Sequence, residues 1–182
     1  LVRSFVSKAG PDKGYTVMTI CNTGTLATTT WGTAAGIIYG LHDRGILKRA
    51  VCLETRPYNQ GSRLTATEFA HMSIPFTLIS DGMAAAAMEK FGVDVIVVGA
   101  DQVVLNGDTA NKIGTHNLAI LANHFNVPFI VALPKSTFNA NAATGEDIVI
   151  EERPEDEMRI WHGDLICQAD TPVWNPAFDI TP

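Results

Sequence analysis

Val93-Asp94-Val95-Ile96-Val97-Val98-Gly99-Ala100-Asp101 is the stretch that decides the fold of this chain. Val93, Val95, Ile96, Val97 and Val98 are apolar and β-branched, so both faces of the strand they form must be covered. Double cover is the condition of a parallel strand sandwiched between helices. Phe129-Ile130-Val131-Ala132-Leu133 repeats the pattern. Working outward, strands are expected at 17–21, 50–54, 76–80, 93–99 and 129–133. Helices are expected between them at 27–44, 64–72, 83–91 and 113–125. Repeated strand–helix–strand order implies an α/β fold, a parallel sheet with helices on both faces and right-handed crossovers.

Composition is consistent with one domain: 182 residues, 46% hydrophobic and 18% charged. The net charge of -6 comes from 19 acidic and 13 basic residues, and the basic ones are scattered. No nucleic-acid partner is expected from such a surface. No apolar stretch has transmembrane length, so no membrane partner is expected either. The cysteines Cys21, Cys52 and Cys167 are odd in number and form no C-x-x-C pair. Neither zinc ligation nor a disulfide framework is suggested, and a reducing compartment fits best. The chain begins at Leu1 and stops at Pro182 directly after an apolar and aromatic segment. It therefore reads as a piece of a longer protein.

Four loops follow predicted strands, at the sheet edge where open α/β folds bind ligands. The first holds Cys21-Asn22-Thr23-Gly24. A lone cysteine beside a strand is ordinarily a small buried hydrophobe, but at this turn a thiol can also face a ligand. The second is Glu54-Thr55-Arg56-Pro57-Tyr58-Asn59-Gln60-Gly61, whose last two residues should open the next helix and offer free N–H groups to an anion. The plain alternative is an ordinary loop with Arg56 in a surface ion pair. The third, Gly99-Ala100-Asp101, ends the most apolar strand with a carboxylate. Such a group is costly unless paired and open to an upward pKa shift, as acid–base work requires; it can equally be a turn or cap residue. The fourth is Asn106-Gly107-Asp108-Thr109-Ala110-Asn111-Lys112. Thr109 reads as a helix N-cap, with Asn111 and Lys112 in the first turn, where an anion would offset the lysine's conflict with the dipole.

Gly-x-Gly-x-x-Gly and the Walker A pattern are absent, so no dinucleotide or P-loop site is indicated. The five histidines lack metal-ligand spacing and read as fillers. The charge run in 151–157, within an irregular segment 136–159, reads as a solvated excursion.

The four loops, extended by Ile113-Gly114-Thr115, and Val173-Trp174-Asn175-Pro176-Ala177-Phe178-Asp179 together resemble the methylthioribose-1-phosphate isomerase family. Its wider group includes ribose-1,5-bisphosphate isomerase and the regulatory subunits of the exchange factor for translation initiation factor 2. The resemblance covers nearly the whole chain. It implies a Rossmann-like catalytic domain over 1–182, the C-terminal domain of a two-domain protein whose helical N-terminal domain and last helix are absent here. By resemblance, Cys21 and Asp101 are catalytic, while Gln60, Asn111 and Lys112 bind a sugar phosphate. Gln102 stands where that family usually has Arg. The implied reaction interconverts 5-methylthioribose 1-phosphate and its ketose in methionine salvage, without metal or nucleotide cofactor. The protein is then expected to be a cytoplasmic homodimer, found also in the nucleus if its source is a eukaryote. A non-catalytic regulatory subunit and a ribose-1,5-bisphosphate isomerase are the rival readings.

Overall fold

The computed structural model describes residues 14–182. Residues 1–13 of the expected 1–182 domain lie outside the described residues. Five strands build one parallel sheet: β1 Tyr15–Thr19, β2 Leu47–Leu53, β3 Phe76–Ile79, β4 Val95–Val98 and β7 Phe129–Val131. Two short strands between the last pair, β5 Gln102–Val103 and β6 Thr109–Lys112, join β10 Phe178–Thr181 in an antiparallel sheet. A small hairpin pairs β8 Ile160–Trp161 with β9 Asp164–Leu165. The helices are α1 Thr25–Thr28, α2 Ala34–His42, α3 Ala66–His71, α4 Ala84–Phe91, α5 Thr115–His124 and α6 Asp156–Arg159, with a π-helical turn Gly61–Thr65 leading into α3. Among the described residues no helix is long and apolar enough to cross a membrane.

The order of the parallel sheet is β3-β2-β1-β4-β7. From β1 the chain winds outward through β2 to β3; from β4 it winds the other way to β7. Winding reverses between β1 and β4, and a sheet of this kind opens a crevice at the carboxyl ends of that pair. Alternation along the strands sends side chains into two cores. Val17, Ala50, Cys52, Val95 and Val97 pack on one face with Ile38, Tyr39 and Phe69 of the helices α2 and α3. Met18, Ile20, Val51, Ile96 and Val98 pack on the other with Ala87, Met88 and Leu118 of α4 and α5. Residues 95–98 are 0% exposed, which is why the sequence needed apolar groups on both sides.

Two expectations fail. The helix expected over 27–44 is broken: α1 stops at Thr28 and α2 starts at Ala34. Thr28-Thr29-Thr30 are poor helix formers, Thr29 is left-handed and Gly32 has φ 88°, so the chain turns there instead of continuing. Thr109 caps no helix. Residues Thr109–Lys112 are the strand β6, and α5 begins only at Thr115 after Gly114 at φ 101°.

Candidate active site

The strands flanking the reversal end in Cys21 and in Gly99-Ala100-Asp101, so the crevice receives a thiol from one strand and a carboxyl from its neighbour. Cys21 adopts a left-handed backbone, φ 65°. That uncommon conformation for a non-glycine residue is held from both sides. Its N–H donates to Thr55 Oγ1 at 2.8 Å, and its carbonyl accepts from Thr65 Oγ1 at 2.5 Å. Asp101 is tied by its own N–H to the Ala110 carbonyl at 2.9 Å, which docks the third loop onto β6. Lys112 ends β6, with Nζ 4.6 Å from the centre of the Phe178 ring across the β6–β10 pair.

These three groups act on one another. Burial pushes the Cys21 thiol up to about 11; the Asn22 N–H and the Lys112 charge pull it down, and the Asp101 charge pushes it further up. Burial also raises the Asp101 carboxyl above its ordinary value, with Lys112 opposing. Asp101 is itself exposed, so solvent screens this rise. Desolvation is the largest of these influences on the thiol, and the helix that follows, α1, has only four residues.

Gln60 is the residue at which the π-turn begins, as its sequence position suggests. Its side-chain oxygen is buried with no hydrogen-bond partner among the described residues. Gln60 and Lys112 line one narrow cavity of about 10 Å³, together with Tyr58, Arg153, Glu157 and Asn175. Asn111 is buried, and its amide Nδ2 donates to Thr115 Oγ1 at 2.9 Å at the start of α5. Of the expected anchors, Gln60 and Lys112 therefore share a cavity, while the Asn111 amide nitrogen is engaged by α5. Gln102 lies in β5, paired with Ala110.

Sequence reasoning missed several residues. Arg153, in the run taken as solvated, is half-buried beside this cavity, bonded to Glu157 and Glu151 and lying over the Tyr58 ring at 5.4 Å. Glu151, Glu152, Glu155 and Asp156 of the same run are exposed. Among the described residues Arg56 makes no ion pair; it lies over Trp161 at 4.9 Å, and its backbone N–H donates to Asp81, which also receives the Thr55 N–H. Thr55, Thr65 and Glu68 hold the Cys21 loop. Only Thr65-Ala66-Thr67-Glu68, a capping-box spacing, hinted at paired polar groups. Among the described residues no cluster of three or more His, Cys, Asp or Glu is arranged to hold a metal ion.

Comparison with known proteins adds the following. The sequence profile of the Initiation factor 2 subunit family matches residues 5–182. A protein of Caenorhabditis elegans named methylthioribose-1-phosphate isomerase is 58% identical over 96% of this chain and 48% of its own length. The solved 5-methylthioribose 1-phosphate isomerase of Pyrococcus horikoshii superposes with a TM-score of 0.90 at 44% identity, over 93% of this chain and 48% of that one. A solved structure from A. fulgidus, titled translation initiation factor eIF-2B, subunit delta, gives 0.89 at 45%, over 93% and 49%. The chain spans about half the length of the curated relatives it matches.

Proposed function

Because the chain belongs to the Initiation factor 2 subunit family, we propose that the protein it represents is an aldose–ketose isomerase converting 5-methylthioribose 1-phosphate to 5-methylthioribulose 1-phosphate in methionine salvage. The observation that carries this reading is the electrostatic meeting of Cys21, Asp101 and Lys112 where the sheet reverses. The isomerase names of its relatives support the substrate.

In this mechanism Lys112, Gln60 and Asn111 anchor the phosphate, and the fixed dianion sets C1 and C2 between thiol and carboxyl. The anomeric phosphate blocks the ring opening open to a free sugar. Asp101 supplies the missing acid, since its raised carboxyl keeps a proton to higher pH than an ordinary aspartate. Its proton goes to the ring oxygen as the bond from that oxygen to C1 breaks, leaving C1 short of electrons. Hydrogen then passes from C2 to C1 with its electron pair. C2 becomes the carbonyl carbon as its hydroxyl returns a proton to the Asp101 carboxylate. Atoms and charge balance, and the route uses no cofactor. The competing route, proton abstraction from C2, needs Cys21 as a thiolate. A thiol near 11 supports the hydride route, and a phosphate dianion nearby pushes the thiol higher still. Neutral Cys21 then lines C1 as a polarisable, water-excluding wall.

The assay follows ketose formation by full-length protein in D₂O, beside Cys21→Ser and Asp101→Asn. The expected result is turnover without solvent deuterium at C1, and a loss of at least about 10²-fold in Asp101→Asn. Deuterium at C1 would overturn the hydride route; full activity in both variants would overturn the site. Absence of turnover in the unmodified protein would favour the second reading, a regulatory subunit, which the A. fulgidus neighbour supports. A cytoplasmic homodimer, also nuclear in a eukaryotic source, belongs to the same proposal and is testable by sedimentation and cell fractionation.

A further inference from the structure

The helix that starts beside Gln60 grips the Cys21 loop through its side chains. Thr65 Oγ1, which donates to the Cys21 carbonyl, also accepts from Asn22 Nδ2 at 3.2 Å. Three residues on, and so on the same helix face, stands Glu68. Its Oε1 accepts from Asn22 Nδ2 at 2.8 Å and from the Leu26 N–H at 3.2 Å; its Oε2 accepts from the Thr25 N–H and the Tyr39 hydroxyl, each at 2.7 Å. Glu68 is only 8% exposed, and a carboxylate so buried is costly unless donors surround both oxygens. Here most of those donors belong to the residues directly after Cys21, so the carboxylate fixes the loop and the loop satisfies the carboxylate.

We infer that Glu68, seconded by Thr65, is the positioning residue for the Cys21 thiol, and that the helical segment from Gln60 through α3 couples the phosphate anchor at its start to the thiol alongside its middle. Glu68 stands eight positions after Gln60, at most roughly 12 Å along the segment at the α-helical rise. A rigid rod of that length fixes the distance between the anchored phosphate and the sulfur. Groups that line the reacting atoms must be held to about 0.5 Å, and a displacement of about 1 Å costs on the order of 10²-fold in rate. Glu68→Gln keeps the shape but turns one acceptor into an NH₂ that faces donors, so at least one tie to the loop is lost. The inference rests on Cys21 lining C1 in the proposed isomerase. Its clamp is testable without substrate.

Full-length protein and its Glu68→Gln variant are treated with iodoacetamide, and modification of Cys21 is followed by peptide mass spectrometry against exposed Cys167 as internal reference. Turnover of 5-methylthioribose 1-phosphate is measured in parallel. Glu68→Gln is expected to speed Cys21 alkylation about 10-fold, because the loosened thiol reaches water. It should lower kcat by about 10–100-fold with KM within about threefold, since Gln60 and Lys112 are untouched. A folded variant with unchanged Cys21 alkylation and unchanged kcat would overturn the inference. Should Glu68→Gln fail to fold, Thr65→Val and Thr65→Ser decide: valine is expected to reproduce the fast alkylation and serine to rescue it, whereas equal behaviour of the two would refute the clamp. Full activity of both Cys21→Ser and Asp101→Asn would sink the isomerase site while leaving the alkylation result to judge the clamp.

Discussion

Cys21 sits where a ligand would meet it and yet holds its proton far more tightly than an ordinary thiol. The cause is desolvation, and the two charges nearest it pull in opposite directions: Lys112 favours the thiolate and Asp101 opposes it. At pH 8 a thiol near 11 is roughly one part in a thousand ionised. Alkylation should therefore reach exposed Cys167 well before Cys21. The two neighbours give opposite signs. Lys112→Gln removes the charge that lowers the thiol and should slow Cys21 alkylation; Asp101→Asn removes the charge that raises it and should speed it. Peptide-resolved rates in the substrate-free protein check this, and shifts of the same sign in both variants would show that the three groups do not share one field.

The element that matters most to the site is the π-turn with α3, and its seat on β2 depends on one glycine. A Cβ on Gly61 would lie 1.7 Å from the Leu53 carbonyl oxygen and 3.0 Å from Thr55 Oγ1, so any side chain there lifts the segment away from the strand. Gly61→Ala is expected to cost about 2–4 kcal/mol in urea unfolding. Gly82→Ala, with nothing within 4 Å of its Cβ and no positive φ, should be neutral or stabilising by up to about 1 kcal/mol. Equal effects would mean that the close approach is not a constraint. Elements of this size also mark how far the sequence could be read. All five parallel strands were legible to within a few residues, because runs such as Val95 to Val98 announce double burial locally. Strand β6 was not: Thr109-Ala110-Asn111-Lys112 is polar, and its pairing with Phe178 to Thr181 depends on a partner far away in the chain. The Cys21, Gln60 and Asp101 loops were legible as strand ends, whereas Lys112 was singled out in a segment misread as a loop and helix start. Glu68 was not, because in a helical pattern a glutamate ordinarily faces water, and only the packing of the Cys21 loop against α3 buries it.

At the scale of the whole molecule, the sheet sorts its polar chemistry to one edge and its apolar mass to two cores, but the cores also enclose groups that titrate. Cys52 is 0% exposed in the first core, and burial pushes its thiol up to about 12. Cys21, at the edge of the second, stands near 11, and burial together with Glu68 raises Tyr39 as well. A raised folded pKa means that the unfolded chain loses its proton first. Below pH 9, the ordinary thiol value, folded and unfolded states bind these protons alike and stability is unaffected. Above it the unfolded state ionises while the folded state does not, so stability falls as pH climbs from about 9 toward 12, by about 1.4 kcal/mol per pH unit for each fully buried thiol. Cys21, only partly enclosed, contributes less than Cys52. Self-repulsion of a chain already at -6 adds a slope of the same sign, so the comparison must be internal. Cys52→Ala should be less stable at pH 7, having lost a buried sulfur, yet lose stability less steeply above pH 9. Urea midpoints of the two proteins from pH 7 to 11 should therefore converge; curves that stay parallel would show that Cys52 ionises no later in the folded core than in the open chain.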